Sequence, residues 1–310
     1  MRVKRTKVAT PARTGRGRLA TTASSTLSLP DKPHTLSTDL RSYSMLVHGE
    51  KKIGKTSLLA QEPDAIFLEF DPLQQALAIY QVQIPTWADC KGYVKLLEAE
   101  SKKVKPRFKT VVVDGVEIMY RLCFEAMCRE MGIEHPHDEK DYGKSWGRIK
   151  TEFSGVVHRL LNLKGIAPRF LCHSHWKEVK TRDGAQTEKL TPILSGQAEE
   201  ILVGQIDIWA AYTYFGKDRV LIVQGDEEIG AGHRVDTAFK TPSGEHVVEI
   251  PMGKTSKEAY QNLLLAFNNK QTNPRVTAAA APPKKLALKK KAPATLKSGK
   301  AIRVSGKPTR

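Results

Sequence analysis

Residues Gly49, Glu50, Lys51, Lys52, Ile53, Gly54, Lys55 and Thr56 fit the pattern G-x-x-x-x-G-K-[ST] without a mismatch. That spacing answers one chemical need. Phosphate oxygens are held by successive backbone N–H groups and by the N-terminus of a following helix, so the chain must turn tightly and then enter a helix. Lys55 is placed to reach β- and γ-phosphates, and the Thr56 hydroxyl to sit on Mg²⁺. With Ser57 these residues form the candidate phosphate-contacting set, and ATP with Mg²⁺ is the ligand pair they suit.

Hydrolysis of a bound triphosphate asks for further groups. Asp114 ends the apolar run Lys109 to Val113, the Walker B arrangement in which a strand-terminal carboxylate holds Mg²⁺ through its water shell. A carboxylate must also orient and polarise the attacking water. Asp71 and Glu69 are the candidates, two apart at the end of Ala65 to Asp71 and so able to share one strand face. Asp71 is preferred, because open α/β sheets bind ligands beyond the carboxyl ends of their strands. His175 closes another apolar run, Pro168 to His175, and is suited to sense the γ-phosphate, with His173 as its near rival.

These residues need a scaffold that brings strand ends together. Tyr43 to His48 is short and apolar enough for a buried strand, and Thr56 to Ala60 opens a helix. Apolar runs then alternate with helical patterns, at 87–102, 141–165 and 197–205, as a mainly parallel sheet sandwiched by helices requires. Asp183-Gly184 lies between two β-prone segments and signals a hairpin over 176–192, exposed and basic in its first half. Residues 207–223 form a late antiparallel hairpin around Gly216, and Gly230 to Arg234 reads as a glycine-rich link. Thr255 to Glu258 is a capping box that opens a last helix, Ala259 to Phe267.

Charge divides the chain of 310 residues differently. Residues 1–40 carry a net +6 and residues 271–310 a net +11, out of +17 overall, so the body between them is neutral. The organisation expected is a disordered basic arm (1–40), one α/β domain (41–268) and a disordered Lys/Ala/Pro-rich tail (269–310). Arms of this kind condense on nucleic-acid phosphates without reading sequence. The N-terminal arm also has the acid-poor composition of an organelle transit peptide, although Pro11, Gly15 and Gly17 interrupt an amphipathic helix. No apolar run approaches the ~20 residues of a membrane span. Four cysteines without paired spacing read as buried thiols in a reducing compartment, hence the cytoplasm.

Taken in order, these motifs resemble those of phage-type RecA-like ATPases, an AAA-type family that includes single-strand-annealing recombination ATPases. The likeness runs from Val47 to Leu58, through Ile66 to Asp71 and Val111 to Val116, to Phe170 to Glu178, and it leaves both arms outside. Gly115 stands where the family usually has Ser or Thr, and Asp71 where RecA has Glu. The resemblance implies a RecA-like core and a DNA-stimulated ATPase in recombination, annealing, repair or replication. It favours His175 over His173, as the first residue of a His-x-Lys-Glu strand end, and it implies homo-oligomers with shared ATP sites. Arg234, on its glycine-flanked link, is the candidate cation offered to a neighbour's γ-phosphate. Single-stranded DNA, reached by the arms and by the 176–192 loop, is the expected partner, and in a phage-encoded protein the host cytoplasm or nucleoid the expected place. A small-molecule kinase shares the phosphate loop but needs an arginine-rich lid, which is not evident here. A DNA-coating protein with a relic fold would have no use for intact Lys55, Thr56 and Asp114.

Overall fold

The computed structural model describes residues 29, 31–33, 35–138, 140–181, 184, 186–272 and the backbone of 275–276. Most of both basic arms, and with them the disorder and targeting expectations, lie outside the described residues. Contacts divide the chain between Ser37 and Thr38, and every element below belongs to the second unit.

The chain begins with β1 (Met45–Gly49), a short α1 (Lys55–Leu59), β2 (Ala65–Glu69) and β3 (Tyr80–Gln83). It continues with α2 (Trp87–Ser101), β4 (Thr110–Asp114), α3 (Val116–Met131) and α4 (Lys144–Leu161). Then come β5 (Ala167–Lys180), β6 (Gln186–Pro192), α5 (Gly196–Gln205), β7 (Ile208–Phe215) and β8 (Asp218–Ile222). The last elements are β9 (Gly232–His233), β10 (Val247–Pro251), α6 (Ser256–Phe267) and β11 (Arg275–Val276). Among the described residues no helix is long and apolar enough to cross a membrane.

The strands lie in the order β11-β10-β8-β7-β1-β5-β4-β2-β3. From β3 to β7 every pairing is parallel, and beyond β7 every pairing is antiparallel. One strand, β5, separates the phosphate-loop strand β1 from the Asp114 strand β4, and the whole is a RecA-like P-loop α/β fold. The parallel half is buried on both faces, which is why its strands read as unbroken apolar runs. Alternate residues feed two cores. Val47, Phe67, Val112 and Leu171 pack beneath α1 and α6, whereas Leu46, Leu68, Val113 and Phe170 pack beneath α2 to α5.

Several expected elements end elsewhere. β2 stops at Glu69, so Asp71 lies two residues past the strand rather than in it. β5 runs 14 residues, because its first half pairs inside the main sheet and its second half pairs with β6 as the expected hairpin. Val116–Met131, attached to no element by pattern alone, is a helix whose amphipathic face buries Met119, Tyr120 and Cys123. The stretch Gly230 to Arg234 is not a free link. β9 pairs with Ile208 and Trp209, and Gly230 packs against the Trp209 ring.

Two buried polar groups hold this body. At the end of the sheet where β1 begins, Arg169 is fully buried and donates to Glu62 Oε1 at 2.7 Å and to the Tyr43 carbonyl at 2.6 Å. Glu62 Oε2 accepts from Thr110 at 2.8 Å, so both charges are satisfied. Removing one partner of such a pair leaves the other charge stranded, which costs about 3–5 kcal/mol. Arg169→Met should therefore lower the stability by about that much in denaturant titrations, and adding Glu62→Gln should recover most of it. Equal losses in the single and double variants would show that the charge pair is not what the site contributes.

At the other end, His48 is buried between two partners. Its Nε2 donates to the Gly230 carbonyl at 2.7 Å, which leaves Nδ1 to accept from the Ser174 hydroxyl at 2.8 Å. Burial pushes its pKa down from 6.5 to about 4, against the opposing pull of the Gly230 carbonyl. The unfolded chain therefore takes up a proton below pH 6.5 that the folded chain refuses until about pH 4. Stability is full above that window and falls within it by about 3 kcal/mol. His48→Gln should flatten the pH dependence of chemical unfolding between those limits, and parallel curves for parent and variant would contradict this account.

Candidate active site

The phosphate loop leaves β1 at Gly49, whose missing side chain is a packing requirement. A Cβ there would lie 2.3 Å from the Tyr212 carbonyl oxygen on the neighbouring strand β7. Glu50, Lys51 and Lys52 form the exposed crest, with Lys52 held at φ +64°, and Ile53 anchors the loop in the core under α6. The Lys55 ammonium is folded back onto its own loop, donating to the Gly49 and Glu50 carbonyls at 2.9 Å each. Burial lowers its pKa, opposed by the carboxylates of Asp114 and Glu117. Because α1 is only five residues long, loop amides and Lys55 outweigh any helix dipole in holding an anion.

Thr56 and Asp114 meet here. The Thr56 hydroxyl donates to Asp114 Oδ2 at 2.6 Å. Burial raises the Asp114 pKa, with the Thr56 hydrogen bond opposing it. Gly115 follows at φ +89°, which lets α3 start at once, and its Cα hydrogen face looks onto Asp71 Oδ2. A side chain at this position would be strained, which explains the departure from the usual Ser or Thr. In register, Glu69 lies opposite Asp114, and both point to the α1 side of the sheet with Phe67 and Val112. Hydroxyl and carboxylate oxygens converging in this way are the donor set of a hard cation such as Mg²⁺, so the residues fit that ion.

The two candidate bases differ in environment. Glu69 is wholly buried, and burial and then the Asp114 charge push its pKa up to about 8, opposed by a hydrogen bond with Gln74. Asp71 is half-buried beside Gly115, within reach of water. The two histidines also differ. His173 pairs in register with Gly49 and bonds to Glu117, whereas His175 lies one step out along β5, opposite Thr191 in the hairpin.

Arg234 is not brought to this cluster. It donates to the Ile206 carbonyl at 2.7 and 3.2 Å and faces Asp207 at 3.5 Å, beside the N-terminal end of β7. Because β7 runs parallel to β1, that is the end of the sheet away from the phosphate loop. Its guanidinium is bonded within its own chain.

Pattern reading missed two groups that sit at the site. Glu117 turns from α3 toward β5, and only its three-residue offset from Asp114 signals it. Arg219 lies on β8 with a guanidinium nitrogen 3.3 Å from where a Gly54 Cβ would stand, and it donates to the Gly253 carbonyl at 2.9 Å. It lines a cleft of about 990 Å³ beside the loop, with Lys52, Ile53, Tyr214, Lys217 and Lys254. Nothing in the sequence links β8 to a loop some 165 positions earlier, since the contact exists only once the sheet has formed.

Known proteins place this arrangement. Residues 41–235 match the AAA domain family. The SPbeta prophage-derived uncharacterized protein YorG of Bacillus subtilis (strain 168) is 26% identical over 129 residues, 41% of this chain. The match spans 40% of that protein's own length. The crystal structure of the RadB recombinase superposes with a TM-score of 0.36 at 14% identity, covering 70% of this chain and 89% of that one. A likeness that loose adds nothing to the strand order itself. The family match, spanning the phosphate loop, Asp114 and all five parallel pairings, shows that the chain belongs to the AAA domain family, on a RecA-like P-loop core.

Proposed function

We propose that this protein hydrolyses ATP with Mg²⁺ and does so in association with single-stranded DNA, in phage-type recombination, annealing, repair or replication. The observation that carries the ATPase reading is the meeting of Lys55, the Thr56–Asp114 contact and Asp71 at one end of one sheet face. Lys55 exchanges its two loop carbonyls for phosphate oxygens. Thr56 and Asp114 would hold Mg²⁺, which would supply neutralisation of phosphate charge. Asp71 orients the attacking water, because it has access to solvent that sealed Glu69 lacks. Ribose and base extend into the cleft past Lys52, where half-exposed Tyr214 offers a ring to stack on and Arg219 a donor to the phosphates.

The DNA reading rests on charge. The arms bring a net +6 and +11, and the β5–β6 hairpin adds a sorted surface. Lys177 lies directly opposite Lys189 on one face, and Glu178 directly opposite Glu188 on the other. A phosphate backbone has one side of the hairpin to choose. Homo-oligomers with shared ATP sites belong to the same proposal, and Arg234 enters it only by leaving its bonds to Ile206.

Two outcomes follow. Lys55→Ala should abolish turnover and weaken ATP binding, while Asp71→Asn keeps binding and loses hydrolysis by about 10²–10⁴-fold. Parent-like turnover by Asp71→Asn, with a dead Glu69→Gln, would transfer the base to Glu69. Single-stranded DNA should raise the parent's turnover, and deletion of residues 271–310, which removes 11 positive charges, should weaken DNA binding and flatten its salt dependence. Basal turnover should survive the deletion. DNA binding with an unchanged salt slope would assign the contact to the folded body, and turnover indifferent to DNA would leave an ATPase without this partner.

A further inference from the structure

The middle of β5, where it leaves the main sheet, is held from α3 by a carboxylate–imidazole pair. Glu117 Oε1 accepts from His173 Nδ1 at 2.5 Å and from the His173 backbone N–H at 3.2 Å. Burial works against the Glu117 charge, but the bonds from His173 outweigh it and hold the carboxyl below its usual range. Glu117 is therefore an ionised acceptor, and His173 carries its proton on Nδ1. With Nδ1 engaged, Nε2 is the ring nitrogen left over, and it makes no hydrogen bond to a described residue.

The place of this nitrogen matters. His173 is paired in register with Gly49, the first residue of the phosphate loop, and shares the α1 side of the sheet with Leu171 and Asp114. The charged or titratable groups around the pair are Lys55, Asp114 and the thiol of Cys172. The Cys172 thiol is also hydrogen-bonded to Glu117. Burial opposes the Glu117 charge, and a helix-capping role would be served as well by an exposed carboxylate. The carboxylate–imidazole arrangement is the one that proteins use to fix a histidine's tautomer and direction toward a reacting group.

We propose that Glu117 is a positioning residue for phosphoryl transfer, holding His173 so that its Nε2 meets the terminal phosphate of bound ATP. The proposal rests on the ATPase reading above. His173 would touch the phosphate, and Glu117 would act only through it. When that phosphate leaves, the ring loses a partner at the point where β5 passes from the main sheet into the hairpin.

Two measurements on the full chain test this. In ¹⁵N-histidine spectra the parent's His173 should show the Nδ1–H form, and adding ATP with Mg²⁺ should move its Nε2 resonance. Glu117→Gln should populate the other tautomer and blunt that response. In turnover assays Glu117→Gln should lower kcat about 10–100-fold with KM changed less than about threefold. His173→Gln should give a similar loss, and the double variant no further loss, because the two residues act as one unit. Glu117→Asp should recover part of the rate if its shorter carboxylate still reaches Nδ1. The proposal is overturned if ATP leaves the His173 resonance in place, or if the two losses multiply in the double variant. A parent that binds ATP through Lys55 yet shows no turnover would refute the ATPase reading instead, and the spectra would still decide the Glu117 role.

Discussion

Parallel register is the constraint on which this molecule depends. Because β2, β4, β5 and β1 run the same way and pair in step, their carboxyl ends arrive together. Glu69 stands opposite Asp114, Asp114 opposite Leu171, and His173 opposite Gly49. Each pairing is fixed by apolar alternation, since a slip of one residue would turn Val112 and Leu171 out of one core and into the other. The chemistry at the strand ends therefore inherits its geometry from hydrophobic packing some residues away. Gly49 shows how tightly this is set, for the loop begins where β7 leaves no room for even one carbon.

The two ends of the sheet treat buried charge in opposite ways. At the end marked by Arg169, guanidinium and carboxylate oxygens are all paired, and the site contributes only to stability. At the phosphate-loop end, Glu69 is buried beside the Asp114 charge, Glu117 is held ionised against its burial, and Lys55 donates to carbonyls of its own loop. Natural folds break local rules where function demands it, and this end breaks several at once.

Much of this was legible in the sequence because local pattern and tertiary place agree. The phosphate loop, the strand before Asp114, the β5–β6 hairpin and the cap of α6 at Thr255, whose hydroxyl accepts from Glu258 N, each announce themselves within a few residues. What was illegible depends on the closed sheet. Arg219 reaches Gly54 only because β8 is folded back along β7, and Glu117 reaches His173 only because β5 is inserted beside β4. The setting of Arg234 was hidden for the converse reason. Flanking glycines suggest freedom, but the carbonyls left over at the end of α5 capture its guanidinium. The edge strand β3 went unseen because none of its Tyr-Gln-Val-Gln side chains is buried, so no alternation marks a core face.

The hairpin formed by β5 and β6 carries a last consequence. Like charges directly opposite one another in a ladder repel and destabilise it. Here both faces carry such a pair, Lys177 with Lys189 and Glu178 with Glu188. Rearranging the partners within this ladder would require a register shift, and that would carry Leu190 out of its buried seat. The hairpin is thus held in a frustrated alignment by its own base. A polyanion relieves one face and leaves the other strained, a divalent cation does the reverse, and added salt softens both. The stiffness of this projection is thereby tied to the ions around it, independently of whatever it touches.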